Sequence, residues 1–193
     1  MILIIEGVDG SGKSAISRAL QEMIPLSTLV KLSGAPKKIK EESYMRQVYT
    51  SLIPFYKAVA EDQVVILDRS TTSERIYPPI FKGYVASYLD DYERFLINSF
   101  NVRQIVLSPT RELLKSRLQM KKQQSPNETH NELDMLCNIN SVYQNMNYIY
   151  PTLFIKDLHR DAKDIASEIL SIVGKSIAFE SDAYSNMDKG VNL

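Results

Sequence analysis

At 193 residues the chain is long enough to bury one well-formed core and short for two. Its 23 Lys and Arg balance its 23 Asp and Glu, so no overall basic field advertises a nucleic-acid partner. Cys137 is the only cysteine, which excludes an intrachain disulfide and fits a reducing compartment; His130 and His159 stand far apart, without metal-ligand spacing.

Ile2-Leu3-Ile4-Ile5 reads as a strand buried on both faces. The run is too short for a secretory leader, and no stretch approaches the length of a membrane span, so a cytoplasmic protein with no membrane partner is expected. Gly7-Val8-Asp9-Gly10-Ser11-Gly12-Lys13-Ser14 then matches G-x-x-x-x-G-K-[ST], and Ile16, Ala19, Leu20 and Met23 recur at helical spacing. Strand, glycine loop and helix together are what a phosphate cradle needs. The glycines let successive N–H groups face one anion, and the helix aims its positive dipole end at the same point. Lys13 reaches the outer phosphates and Ser14 offers a hydroxyl to Mg²⁺.

A second strand is expected over 27–32, broken by Ser33-Gly34-Ala35-Pro36, with Lys37, Lys38 and Lys40 following. Residues 41–61 are helical in pattern, with Pro54 a kink or break. Gln63 to Leu67 is a buried strand ending on Asp68-Arg69, at the carboxyl edge where parallel sheets bind ligands. There Asp68 is suited to hold Mg²⁺ or orient an attacking oxygen, and Arg69 to neutralise phosphate. Ile76-Tyr77-Pro78-Pro79 and Gly83 read as a loop, Tyr84 to Phe100 as a helix, and 101–107 as a strand. Ser108 is the expected cap of a helix carrying Arg111, Lys115, Arg117, Lys121 and Lys122, and Pro109 its first turn. Residues 123–129 look like a polar tip. Leu133, Leu136, Val142, Tyr143 and Met146 share one face of a further helix, and Cys137 reads as a small buried hydrophobe there. A strand at 152–156 and a helix at 162–173 close the domain, leaving 174–193 as a polar tail. Strands alternating with helices predict an α/β three-layer sandwich around a five-stranded parallel sheet.

Glu6 to Ser14 resembles the E-G-x-D-G-x-G-K-[ST] loop of thymidylate kinases, with Asp9 the telling residue. The resemblance spans about Met1 to Val173. It implies strand order 2-3-1-4-5, a P-loop kinase domain over 1–173 with a basic lid near 117–131, and use of ATP with Mg²⁺. It assigns Lys13, Asp68, Arg69 and Arg117 to catalysis and Ser14 with Asp68 to the metal. Asp9, Gly10, Ser11, Gly12, Lys13, Ser14, Arg117, Lys121 and Lys122 would hold ATP. Asp9, Tyr44, Arg46, Gln47, Arg69, Ser73 and Tyr77 would hold the acceptor. The family's arginine in the loop after the second strand is missing beside Pro36, which leaves Lys37, Lys38 or Lys40 to meet an acceptor phosphate.

The stretch Asp68-Arg69-Ser70-Thr71-Thr72-Ser73-Glu74-Arg75 resembles the D-R-Y segment of that family and, equally well, the E-R-S-x-x-S-D-R segment of deoxynucleoside kinases. The leading expectation is therefore an enzyme phosphorylating a deoxynucleoside monophosphate. A kinase with a hydroxyl acceptor, either a deoxynucleoside or a hydroxymethylated base in DNA, is the alternative. A regulator that binds nucleotide without catalysis is third, opposed by the presence of Lys13, Asp68 and Arg69. A homodimer is left open.

Overall fold

The structure, a computed structural model, describes residues 1–34, 36, 38–39, 41–124 and 131–187, with side chains at all of these except 121–124, 131 and 175–187. Five strands, β1 (Ile2–Gly7), β2 (Ser27–Lys31), β3 (Val64–Asp68), β4 (Val102–Leu107) and β5 (Thr152–Ile155), pair in parallel in the order β2-β3-β1-β4-β5. Around them lie α1 (Lys13–Met23), α2 (Glu42–Val59), α3 (Thr71–Phe81), α4 (Leu89–Ser99), α5 (Arg111–Gln124), α6 (Asn131–Asn145) and α7 (Ala162–Met187). The fold class and strand order are those expected.

Every residue of β1 is buried, because it is the central strand and is covered on both faces. Its side chains alternate between two cores. Leu3 and Ile5 join Ile66, Ile105 and Leu107 under α1 and α7. Ile2 and Ile4 join Val65 and Leu67 under α2 and α4, where Tyr49, Tyr56, Tyr92 and Leu96 pack. Burying each such aliphatic side chain contributes about 1.5–3 kcal/mol, which fixes the sheet and therefore its carboxyl edge. No helix among the described residues is long and apolar enough to cross a membrane.

Several local expectations are corrected. Ile76 to Pro79 is helix, not loop: α3 runs through both prolines to Phe81. Proline's fixed φ suits a helix, and each ring costs one intrahelical bond, here near the end of an element whose first turn is held by tertiary contacts. α2 likewise continues through Pro54. Residues 84–88 are not helical; Tyr84 donates to Glu74 and Ser87 to Glu42, which ties this connection to α3 and α2. The cap of α5 is Thr110, whose Oγ1 accepts the Leu113 N–H at 3.3 Å, while the Ser108 N–H extends the β4–β5 ladder to Ile155. On α6 Leu136 and Tyr143 are buried as expected and Ile139 joins them, whereas Val142 is 45% exposed. Cys137 is only half-buried, against the cluster holding Leu136 and Tyr143. α7 continues past Val173 to Met187, since Gly174 alone weakens a helix by only about 1 kcal/mol relative to alanine.

Candidate active site

The site lies along the carboxyl edge of β1, β2 and β3. Where β1 ends, Gly7 takes φ 140° and packs so closely that a Cβ would stand 2.6 Å from the Leu107 carbonyl oxygen. Gly12, at φ 97°, leads directly into α1, and a Cβ there would meet the Arg117 guanidinium at 3.2 Å. The loop between them opens the unpaired N–H groups of the α1 N-terminus toward solvent, the arrangement that binds phosphate.

Lys13 is buried, and its Nζ donates to the carbonyl oxygens of Gly7 and Val8, both at 2.8 Å. Burial and the nearby Arg69 charge bring its pKa down to about 8, against the pull of Asp9, Glu6 and Asp68. Ser14 Oγ donates to Asp68 Oδ2 at 2.6 Å. Lys31, the last residue of β2 and the register partner of Asp68, donates from Nζ to Ser14 Oγ at 3.1 Å and lies 3.7 Å from Asp68 Oδ2. Asp68 is buried, and its Oδ1 has no hydrogen-bond partner among the described residues. A hydroxyl beside a carboxylate with an orphaned oxygen is a hard-donor set that fits Mg²⁺, which takes one or two carboxylates and completes its shell with water and phosphate.

Arg69 is the one described residue other than glycine with positive φ, at 74°. Its guanidinium pairs with Asp9, donates to Ser73 Oγ at 3.0 Å and lies 5.0 Å from the Tyr77 ring centroid. Burial is the largest influence and opposes its charge, but Asp9, Tyr77 and Tyr143 together outweigh it, so its pKa is raised and it stays cationic. Holding arginine in this region costs about 1–3 kcal/mol, so the surroundings must over-determine it. They do so through Glu6, fully buried on β1. Glu6 accepts the N–H groups of Ser70 and Ser73 at 2.7 and 3.1 Å, the Ser73 hydroxyl at 2.6 Å and the Tyr143 hydroxyl at 3.2 Å. A strand carboxylate thus caps α3 and sets the helix that carries Ser73 and Tyr77. Burial raises the Glu6 pKa, with the bonds from Ser73 and Ser70 working against it.

Two clefts open here. One, of about 310 Å³, lies over Gly10, Gly12, Lys13, Ser14 and Asp68. The other, of about 370 Å³, runs between α2 and α3 and is lined by Met45, Tyr49, Ser73, Glu74, Tyr77 and Phe81, among others. Tyr77 and Phe81 stack at 5.9 Å and 24°. Glu74 is buried at the wall, takes the Tyr84 hydroxyl at 2.6 Å, and has its pKa raised by burial. The clefts meet at Asp9, Lys31 and Arg69, which line both. A flat apolar group fits the second cleft while an anion fits the first, and two cations flank the junction.

Of the residues singled out in the sequence, Asp9, Gly10, Gly12, Lys13, Ser14, Asp68 and Arg69 come together at the first cleft, and Ser73 and Tyr77 line the second. Ser11 is buried beneath the loop. Tyr44, Arg46 and Gln47 are exposed and do not line the cleft; Arg46 pairs with Glu42 at 3.1 Å and lies over the Tyr88 ring. The correction is one helical step, since Met45 and Tyr49 face inward from the same helix. Arg117 lies away from the junction. It donates to the Gly10 and Leu158 carbonyls, both at 2.9 Å, and clamps the glycine loop to the loop after β5; burial lowers its pKa. Lys38 is exposed and outside both linings. Lys37, Lys40, the Lys121 and Lys122 side chains and the tip at 125–130 lie outside the described residues. Sequence reasoning missed Lys31, Met45, Tyr49, Glu74 and Phe81. Lys31 had a usable signal, because it ends a strand at the same edge that drew attention to Asp68.

Compared by sequence, the chain matches no protein-family model and no curated protein. Compared by structure, it is similar to the YorR protein of Bacillus subtilis in complex with phosphorylated GDP (TM-score 0.69, 19% identity, covering 92% of this chain and 98% of that one). It is similar also to deoxyadenosine kinase of M. mycoides with dCMP and dCDP bound (TM-score 0.59, 19% identity, 91% and 100%) and to thymidylate kinase of Ehrlichia chaffeensis (TM-score 0.55, 15% identity, 90% and 98%). These likenesses establish the fold, that of P-loop nucleoside and nucleotide kinases.

Proposed function

We propose that the protein transfers the γ-phosphoryl group of ATP to a deoxynucleoside monophosphate. The observation that carries this reading is the junction of the two clefts at Asp9, Lys31 and Arg69. An acceptor base held in the apolar cleft beside Tyr77 and Phe81 presents its phosphate where two cations converge, next to the glycine loop. A similar structure holds phosphorylated GDP and one similar protein is a thymidylate kinase, which supports this reading, whereas the similar deoxyadenosine kinase, with its products dCMP and dCDP bound, supports a nucleoside acceptor.

In the proposed reaction an oxygen of the acceptor phosphate attacks the γ-phosphorus in line. The bond from that phosphorus to the β–γ bridging oxygen breaks, and ADP departs with the electron pair. The chain's work is positioning and charge stabilisation. The N–H groups at the α1 N-terminus and Lys13 hold the β- and γ-phosphates. Arg69, kept charged by Asp9, neutralises oxygens on the acceptor side. Ser14 and Asp68 would hold Mg²⁺, which supplies charge neutralisation across the β- and γ-phosphates.

A second reading, transfer to the hydroxyl of a deoxynucleoside or of a hydroxymethylated base in DNA, draws support from Asp68, which lines the first cleft and whose Oδ1 has no hydrogen-bond partner among the described residues, as a carboxylate that accepts a hydroxyl proton would. One screen separates the readings: ADP release and product identity with ATP·Mg²⁺ against deoxynucleoside monophosphates, deoxynucleosides and hydroxymethylated DNA. A diphosphate product is expected. Turnover confined to nucleosides or DNA would replace the first reading by the second, and no turnover with any acceptor would remove both.

A further inference from the structure

We propose that Lys31 is the second cation of the acceptor site and that it competes with a divalent metal ion for the Ser14–Asp68 oxygens, which makes it a specificity-determining residue. The proposal rests on the monophosphate reading above. Three observations carry it. The parallel register sets Lys31 directly beside Asp68, each the last residue of its strand, so the geometry follows from the sheet and not from a chance side-chain encounter. Its ammonium sits on Ser14 Oγ and near Asp68 Oδ2. Its side chain is nevertheless 62% exposed, on a flexible stem, and lines both clefts.

The hydroxyl of Ser14 gives its proton to Asp68 and accepts from Lys31. Lys31 uses one of the two lone pairs of Ser14 Oγ; a metal ion on the other, shared with Asp68, would bring its charge against the ammonium and repel it. The ammonium must then leave, and the cleft shared with Arg69 is open to it. Arg69 is held by Asp9, Ser73 and Tyr77, whereas Lys31 is held through Ser14 and Asp68, the two contacts a metal ion would displace. A phosphate carries about two negative charges at neutral pH and profits from both cations. A nucleoside hydroxyl needs neither. Lys31 therefore favours a monophosphate over its nucleoside, and metal binding is what releases it to do so.

The test uses the full chain with Lys31→Met and Lys31→Arg, each checked for folding by its melting curve. Mn²⁺ binding to the ADP complex, measured by electron paramagnetic resonance without turnover, should be about two- to fivefold tighter in Lys31→Met, the range for removing an exposed ion pair. The KM for the monophosphate should rise roughly 10- to 100-fold, as for losing one charged hydrogen-bond donor, with the KM for ATP within about twofold. Lys31→Arg should recover most of the acceptor KM. Unchanged or weaker Mn²⁺ binding in Lys31→Met overturns the competition, and an unchanged acceptor KM overturns the acceptor role. Failure of the wild-type protein on every monophosphate defeats the functional reading and the acceptor role together, while the Mn²⁺ arm still decides the competition.

Discussion

The two clefts are built in different ways. The cleft over the glycine loop is lined mostly by one continuous stretch, Asp9 to Ala15, with Asp68 and Arg69 added from the end of β3 and Lys31 from the end of β2. The acceptor cleft is assembled from the end of β2, the inner face of α2 and the length of α3, residues up to about fifty positions apart. Backbone geometry makes the first, and side chains that happen to face each other make the second. A backbone-built site tolerates little change anywhere. A side-chain-built site concentrates its sensitivity in a few residues and leaves their helical neighbours indifferent.

The largest effect that would break this contrast is at Lys13. Lys13→Met keeps the volume but removes the charge, and kcat is expected to fall about 10³-fold or more, the scale of deleting a preorganised electrostatic group. A folded variant keeping more than a tenth of the wild-type kcat would show that the glycine loop binds without catalysing.

Arg69 couples the two clefts, so its backbone and side chain should separate. Arg69→Ala and Arg69→Gly should both lose about 10²- to 10³-fold in kcat. The glycine variant should be the more stable by about 1 kcal/mol, because φ 74° penalises a Cβ. Urea unfolding of the pair measures this difference. Equal stabilities would mean the strain is absent in solution.

A smaller effect follows from the Lys13 pKa of about 8. In the folded protein Lys13 gives up its proton near pH 8, whereas in the unfolded chain it does so near its ordinary value of 10.5. Between those values the unfolded chain binds more protons, so this group makes the fold more stable as pH rises. Activity should move the other way: kcat/KM for ATP should decline above about pH 8, as the neutral amine ceases to attract phosphate. A profile flat to pH 10 in the free enzyme would contradict the burial that lowers this pKa.

The smallest effects belong to the indifferent face of α2. Tyr44→Ala and Arg46→Ala should change the acceptor KM by less than about twofold, and Arg46→Ala should cost no more than about 0.5 kcal/mol for its exposed i,i+4 pair. By contrast Tyr49→Ala, which opens both the cleft wall and the core, should raise that KM clearly and destabilise by about 3 kcal/mol or more. Steady-state kinetics on the three variants would reveal whether the helix had been placed one residue out of phase.

The sequence by itself determined the architecture and the glycine loop that leads into α1. Apolar runs alternating with helical periodicities specify a parallel sheet, and three glycines with Lys13 and Ser14 encode a backbone shape that needs few distant partners. It also located Asp68 and Arg69, since a strand's carboxyl end is readable from where its apolar run stops. Only the tertiary structure decided the lining of the second cleft. A helix turns about 100° per residue, so an alignment uncertain by one position exchanges the exposed Arg46 for the buried Met45. The prolines of α3 read as a loop because the contacts holding its first turn come from Glu6, sixty-four residues before Ser70. Lys31 could be placed at the sheet's carboxyl edge from the sequence, but only the register of β2 on β3 sets it against Asp68. Local propensity and short motifs act within a few residues and can be read in order. Pairing between distant strands and the phase of a helix against its neighbour are fixed by packing, and packing exists only once the chain has closed on itself.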